Sequence, residues 1–331
     1  KKTPKTPLMA SPGTSSSHAA LVKAALESAR AKGPLSEHIG AMKTILYSDG
    51  AAAAAARPGD SLTQAVLATE LLAELIVNLP DLEFECRKDV TMVFSNLLRR
   101  QSAEKEMLTV SWLSKRPEVL DRLLRGGENP RVALNYGAMF RECCRHEALV
   151  AQLLSPPHCR QTYVLFGFIE SPFFDVASDA FASLRELLTK HRAVAARFLE
   201  AQYDDFFAQY HLLLRSENYV TKRQSLKLLS DLLLDRSNFA TMTRYITSTD
   251  HLKTIMNLLR DGSATIQMEA FHVFKIYVAN PNKGAAVHDL LLRNKERLQA
   301  FLAAFQNDRA DEQFAEEKRF VMDEIARLEP R

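Results

Sequence analysis

Asp175 and Asp179 stand four residues apart, which puts both carboxylates on one face of a helix. A carboxylate pair can work as an acid–base couple. Isolated on a helix, with no nucleophile or second base in the surrounding sequence, it reads instead as a solvated or hydrogen-bonded edge. His146-Glu147 begins like a zinc-protease motif, but Val150 occupies the position where the second metal-binding histidine is required. His191 and His251 fall at expected helix ends, where a cation favours the helix dipole or a cap is useful. Cys86, Cys143, Cys144 and Cys159 form no C-x-x-C pair and no zinc spacing. The adjacent Cys143 and Cys144 fit a helical pattern as small buried residues. No phosphate-binding glycine loop, nucleophile elbow or calcium loop occurs. The expectation is a chain that is not an enzyme and carries no metal or cofactor.

One stretch keeps polar chemistry in an unusual setting. In SENYVTKRQSLKLLSDLLLDR, at about 100° per residue, Tyr219, Arg223, Lys227 and Asp231 fall at roughly 0°, 40°, 80° and 120°. Leu226, Leu228, Leu229, Leu232 and Leu233 fill the remaining arc. A surface helix normally has one buried stripe and a wide wet face. This helix is wet only along a narrow strip carrying two cations and a tyrosine.

The elements that position this strip repeat. Segments beginning at Phe84, Pro130, Phe174, Tyr219 and Ala264 share one layout. Aligned on apolar positions, Phe94, Phe140, Leu184, Leu229 and Phe274 correspond, at spacings of 46, 44, 45 and 45 residues. Leu97, Cys143, Leu187, Leu232 and Tyr277 follow one turn later. A period near 45 containing only helices marks armadillo or HEAT repeats, so the expected fold is all-α, a right-handed α-solenoid. The repeated helix is then the inner one, enclosed on three sides, and its strip lines a concave surface. Position by position, Phe174–Ser178–Ala182 and Ala264–Met268–His272 are the equivalents of Tyr219–Arg223–Lys227. An exposed ladder of Phe174, Tyr219, Arg223, Lys227 and His272 carries residue types common in binding hot spots. Two readings stay open at this point. The ladder is a docking surface, or its cations only solubilise the groove, with Asp231 pairing to Lys227.

The 331 residues have 11 glycines, 13 prolines and a net charge of +3, which fits long helices and does not announce a nucleic-acid binder. Residues 1–14 read as a basic disordered tail, and 15–331 as a single solenoid domain. Breaks are expected at 50–60, 101–117 and around Ser155-Pro156-Pro157, and no alternating run suggests a sheet. DEQFAEEK, from Asp311, leads into an amphipathic capping helix. No apolar signal region or run of 18 apolar residues is present, so the expected setting is cytoplasmic, without membrane or nucleic-acid partners.

SENYVTKRQSLKLL, IQMEAFHVFKIYVANPNK, FLAAFQNDR and FDVASDAFASLRELLTKH resemble segments of the calcium-binding protein 39 family. The resemblance runs from about Ala41 to Leu328 and is densest from Phe174 to Arg309. It implies a non-catalytic armadillo-like scaffold that binds and activates sterile-twenty-type kinases and a related pseudokinase. Through the pseudokinase, a liver-kinase-B-like kinase joins the assembly. The family's groove contacts match Phe174, Tyr219, Arg223 and Lys227 in residue type. A C-terminal pocket for a Trp-Glu-Phe-type tail is matched by Met256, while Arg293 stands where the family has lysine. That exchange keeps charge and alters geometry. The segments 50–60, 101–117 and SPPHCRQTYVLFGFIES depart from the family and bear on partner choice. The competing reading is an armadillo-type adaptor for extended peptides; the cationic strip disfavours basic ones. A basic groove could also give weak, salt-sensitive nucleic-acid binding.

Overall fold

The computed structural model describes residues 12–48, 58–102, 105–308 and 310–330. Every regular element among them is helical. The chain divides into two compact units, Lys1–Val194 and Ala195–Arg331. Residues 1–11 of the expected basic tail and 49–57 of the alanine-rich segment lie outside the described residues.

The first unit runs through α1 (Pro12–Arg30), α2 (Ser36–Ser48), α3 (Pro58–Leu67), α4 (Leu71–Val77), α5 (Phe84–Arg99), α6 (Leu108–Ser114) and α7 (Pro117–Leu124). It continues with α8 (Ala133–Cys143), α9 (Glu147–Leu153), α10 (Val164–Ile169) and α11 (Phe174–Thr189). Helices α2, α5, α8 and α11 pack in succession, each on the next. α3 packs on α6 and α6 on α9, forming an outer row. Each repeat therefore holds two short helices and one long inner helix, the solenoid construction that the period predicts. The aligned inner positions Phe94, Phe140 and Leu184 are buried, as are Leu97, Cys143 and Leu187.

The second unit contains most of α12 (Arg192–Ala201), then α13 (Tyr203–Leu214), α14 (Tyr219–Leu234), α15 (Phe239–Tyr245), α16 (Thr249–Leu258) and α17 (Ala264–Ala279). It ends with α18 (Ala285–Arg293), α19 (Lys295–Ala304) and α20 (Glu312–Ala326). α14 packs on α17 and α17 on α20, continuing the same inner-helix pattern within this unit. The inner helices start where local chemistry tells them to. Asn218 Oδ1 accepts from the backbone N–H of Val220 at 2.9 Å, Ser263 Oγ from Ile266 at 3.4 Å, and Asp311 Oδ1 from Phe314 at 3.1 Å. Each satisfies one of the N–H groups that a helix start leaves without a partner. α20 is the expected capping helix. It buries Phe314, Val321 and Ile325, and it is tied to α17 by Lys275 Nζ–Glu317 Oε2 at 2.7 Å.

Two expectations need correction. The break at 101–117 contains α6, whose Trp112 is buried beneath the guanidinium of Arg116, 4.2 Å from the ring centroid. A seven-residue helix has too few turns to display a period. His251 does lie at a helix start, with its N–H capped by Ser248 Oγ at 3.3 Å. It is not a cationic cap. Its ring stacks 4.4 Å from Tyr245 and 4.2 Å from His211, and burial there pushes its pKa down.

Candidate docking strip on the inner helix of the second unit

α14 is held almost all round. Leu226, Leu228, Leu229, Leu232 and Leu233 are buried, and so are the small polar Thr221, Ser225 and Ser230 that let neighbouring helices approach. From below, Tyr210 donates its hydroxyl to the carbonyl of Ser225 at 2.8 Å. What remains in solvent is the file the sequence picked out: Tyr219, Arg223, Lys227 and Asp231, joined by Val220, Gln224 and Leu234.

The strip's charges are held differently from the cations that link one repeat to the next. Salt bridges commonly link one repeat to the next. Lys43 pairs with Asp89, Arg99 with Glu142, Arg141 with Asp179, and Lys222 with Asp261. Lys222, next in sequence to Arg223, is half-buried, with Nζ 3.1 Å from Asp261 Oδ2. Arg223 reaches only Glu269 Oε1, from Nε at 3.9 Å, with its side chain 46% exposed. Lys227 makes no ion pair within 4 Å among the described residues, so Asp231 does not neutralise it there. One firm cross-repeat pair thus sits beside one marginal pair and one open ammonium on the same helix.

The other expected ladder residues are placed unevenly. Phe174, in the first unit, opens α11 and is exposed, as is Phe173 beside it. In the second unit α17 departs from the pattern: Met268 is buried, and His272 is only partly exposed, with Nδ1 4.0 Å from Glu317 Oε2. α17 has α14 on one side and α20 on the other, so less of its strip is left open than on α14. Met256 on α16 is half-buried and Arg293 at the end of α18 is exposed; these two helices pack together. Arg293 donates from Nε to its own helix, to the Asp289 carbonyl at 3.2 Å.

The carboxylate pair has a structural setting. Asp179 Oδ1 lies 2.7 Å from Arg141 Nη1, which also donates to Ser183 Oγ at 3.1 Å and to the Asp179 carbonyl at 3.2 Å. Burial pushes the Asp179 carboxyl above its usual range, against the pull of Arg141. Asp175 is exposed one turn away. The four cysteines are buried free thiols. Among the described residues no group of three or more His, Cys, Asp or Glu is arranged to hold a metal ion, and no helix is long and apolar enough to cross a membrane.

A family profile described as Mo25-like matches residues 1–329. The chain belongs to the Mo25-like family. It is 46% identical over 300 residues to the human calcium-binding protein 39-like protein, covering 90% of this chain and 88% of the relative. MO25-like protein 2 of Caenorhabditis elegans is 47% identical over 287 residues, 86% of this chain and 84% of that one. The Mo25-like protein of Schizosaccharomyces pombe is 48% identical over 255 residues, 77% and 76% of the two chains.

The sequence did not disclose the cross-repeat pairs, although a signal for them exists. Arg223 and Glu269 are one repeat apart, as are Lys43 and Asp89 or Arg116 and Glu70. Opposite charges one period apart, in either order, are a readable pattern once the period is known.

Proposed function

We propose that this Mo25-like chain is a non-catalytic scaffold that docks a sterile-twenty-type kinase, or a related pseudokinase, through the Tyr219–Arg223–Lys227 strip. Phe174 presents an aromatic at the equivalent position of its own repeat. Met256 and Arg293 form a second contact point, for a peptide tail of the partner. A liver-kinase-B-like kinase would join through the pseudokinase. The carrying observation is a pair of under-neutralised cations and an exposed tyrosine on a helix otherwise fixed by burial.

The physics suits such a role. A rigid surface that binds one conformer of a kinase better than another shifts the population toward it. Tenfold activation takes about 1.4 kcal/mol of differential binding, and a near-complete switch about 5.5 kcal/mol. Arg223 and Lys227 offer charge-assisted hydrogen bonds to carboxylates, and Tyr219 offers flat apolar area. His272 contributes less, because Glu317 already sits beside it.

The test is capture from a lysate of the source organism, comparing the wild-type chain with Tyr219→Ala and Lys227→Glu. A sterile-twenty-type kinase or pseudokinase retained by wild type and lost by both variants is the expected result. Equal retention by all three would remove the strip from the interface. Capture of unstructured peptide partners alone would favour the peptide-adaptor reading.

A further inference from the structure

A cleft of 470 Å³ in the second unit lies between the end of α13, the first turn of α14 and the length of α16. That volume is within the range of small-ligand sites. Its apolar parts are Leu214 and Leu258. Its polar wall carries three cations, Arg215, Lys222 and Lys253, against one carboxylate, Asp250.

The partners of these groups show which of them are available. Lys253 Nζ holds Asp250 Oδ1 at 2.9 Å, but both side chains are mostly in solvent, and such pairs exchange partners at little cost. Lys222 is shared with Asp261, which is not part of the wall. Arg215 is exposed and has no carboxylate within 4 Å among the described residues. Its Nη2 donates to Thr254 Oγ1 at 3.3 Å, and most of its other donors are unused among the described residues. The Thr254 hydroxyl is itself fixed, donating to the Asp250 carbonyl at 3.0 Å. Three cations against one carboxylate leave two positive charges on the wall. Even with Lys222 counted as neutralised by Asp261, Arg215 faces the cleft unopposed.

We propose that this cleft binds a phosphate monoester, with the Arg215 fork and the Lys253 ammonium as its principal ligands and Lys222 at its edge. A phosphomonoester carries about −1.5 to −2 charges at pH 7 and three acceptor oxygens. That matches a planar guanidinium fork beside ammonium groups better than a single carboxylate does. The ester is borne by a phosphorylated side chain of a partner or by a small phosphorylated molecule; the chemistry of recognition is shared. The inference is independent of the docking strip, since Lys222 points about 100° away from Arg223 around the helix.

Calorimetric titration at physiological ionic strength tests this. The probes are inositol trisphosphate, a phosphoserine heptapeptide, the same peptide unphosphorylated, and its glutamate version. The expected result is saturable one-to-one binding of at least one phosphorylated probe, about tenfold or more tighter than either control peptide. Arg215→Gln and Lys253→Gln each weaken it about fivefold or more, and Lys227→Gln leaves it within about twofold, in line with charge-assisted contacts. Both substituted side chains are exposed, and unchanged melting temperatures verify the fold. Binding of the peptide alone or of the inositol phosphate alone supports the site and names the source. Unsaturable heat, equal binding of the glutamate peptide, or an equal loss with Lys227→Gln would overturn the proposal.

Discussion

Arg223→Ala separates docking from folding, because the two roles leave different amounts of free energy to lose. For folding, Arg223 has little at stake. Its side chain is 46% exposed, and its one ion pair, to Glu269, is 3.9 Å long. Surface pairs of this kind contribute about 0–1 kcal/mol, and the alanine regains helix propensity of a few tenths. The expected stability change is under about 1 kcal/mol, or a shift of no more than about 2–4 °C in melting temperature. Six residues further on, Leu229 is fully buried. Leu229→Ala should cost about 2–5 kcal/mol. For docking the order reverses. A truncated arginine hot spot costs about 2–4 kcal/mol, roughly 30- to 1000-fold in affinity. The assay is paired: thermal unfolding of both variants, and affinity for a kinase captured by wild type, with Leu229→Ala measured below its own melting transition. Equal losses of melting temperature in the two variants would make Arg223 structural. An affinity change under about threefold in Arg223→Ala would refute the hot-spot argument even with the fold intact.

Gly137→Ala should destabilise the first unit by about 1–3 kcal/mol despite alanine's better helix propensity. An added Cβ would lie 1.7 Å from Asp179 Oδ2, displacing the carboxylate from Arg141; a gain in urea midpoint would contradict this. Burial pushes His211 down to about 3, and its Nε2 lies 3.0 Å from the Tyr245 hydroxyl. The folded pKa is below the unfolded value of about 6.5, so the neutral ring's contribution is complete above pH 6.5. It is lost as pH falls from about 6.5 toward 3, with a slope of up to about 1.4 kcal/mol per pH unit. Urea titrations between pH 7.5 and 5 should show this slope in wild type and a flatter one in His211→Gln; identical slopes would exclude His211 as its source. Phe314→Ala should loosen α20 at a cost of about 3–5 kcal/mol, since the ring packs 5.3 Å from Phe271 and 6.0 Å from Phe305. Hydrogen exchange should quicken in α20 before α14; uniform quickening of both would instead indicate one cooperative unit.

The repeated inner helices were legible because α5, α11, α14 and α17 each span 16 residues, and all five, the 11-residue α8 included, bury most of their circumference. Leu229, Phe274 and their equivalents recur at one register, and burial follows that register without exception. The exposed file on α14 was legible for the same reason, being what the leucines leave over. α6 and α10 were not, because helices of six or seven residues complete fewer than two turns. The burial of Met268 and the partial shielding of His272 were also hidden. Equivalence by period assumes equal neighbours, and α17 has the capping helix α20 as one of its two inner neighbours. The aromatic core of Tyr203, Phe207, Tyr245 and His251 could not be read at all. Its members come from three helices, α13, α15 and α16, whose relative placement only packing determines.

The distribution of salt bridges bears on the proposal that the strip is a surface for another molecule. Not every inner-helix cation is paired across helices: Arg185 on α11 is exposed and makes no ion pair among the described residues. Yet Lys43, Arg141, Lys222 and Lys275 each have a carboxylate on a neighbouring inner helix or on the loop that precedes one, at 3.1 Å or closer. Such cross-helix pairs add little net energy at the surface, but they fix register between neighbours. Arg223 and Lys227 lie in the same kind of helix, where a pair could have been formed. One is held at the limit of contact, and the other makes no ion pair among the described residues. A cation with no firm partner has less to give up when a carboxylate arrives from outside. Glu269→Gln would remove the one ion pair that Arg223 makes among the described residues. If Arg223 is a docking group, Glu269→Gln should leave kinase affinity unchanged or tighten it up to about fivefold, the equivalent of about 1 kcal/mol. A marked loss of affinity in that variant would mean that Glu269 orients Arg223 for binding, and the strip would then work as a preformed pair instead of a free cation.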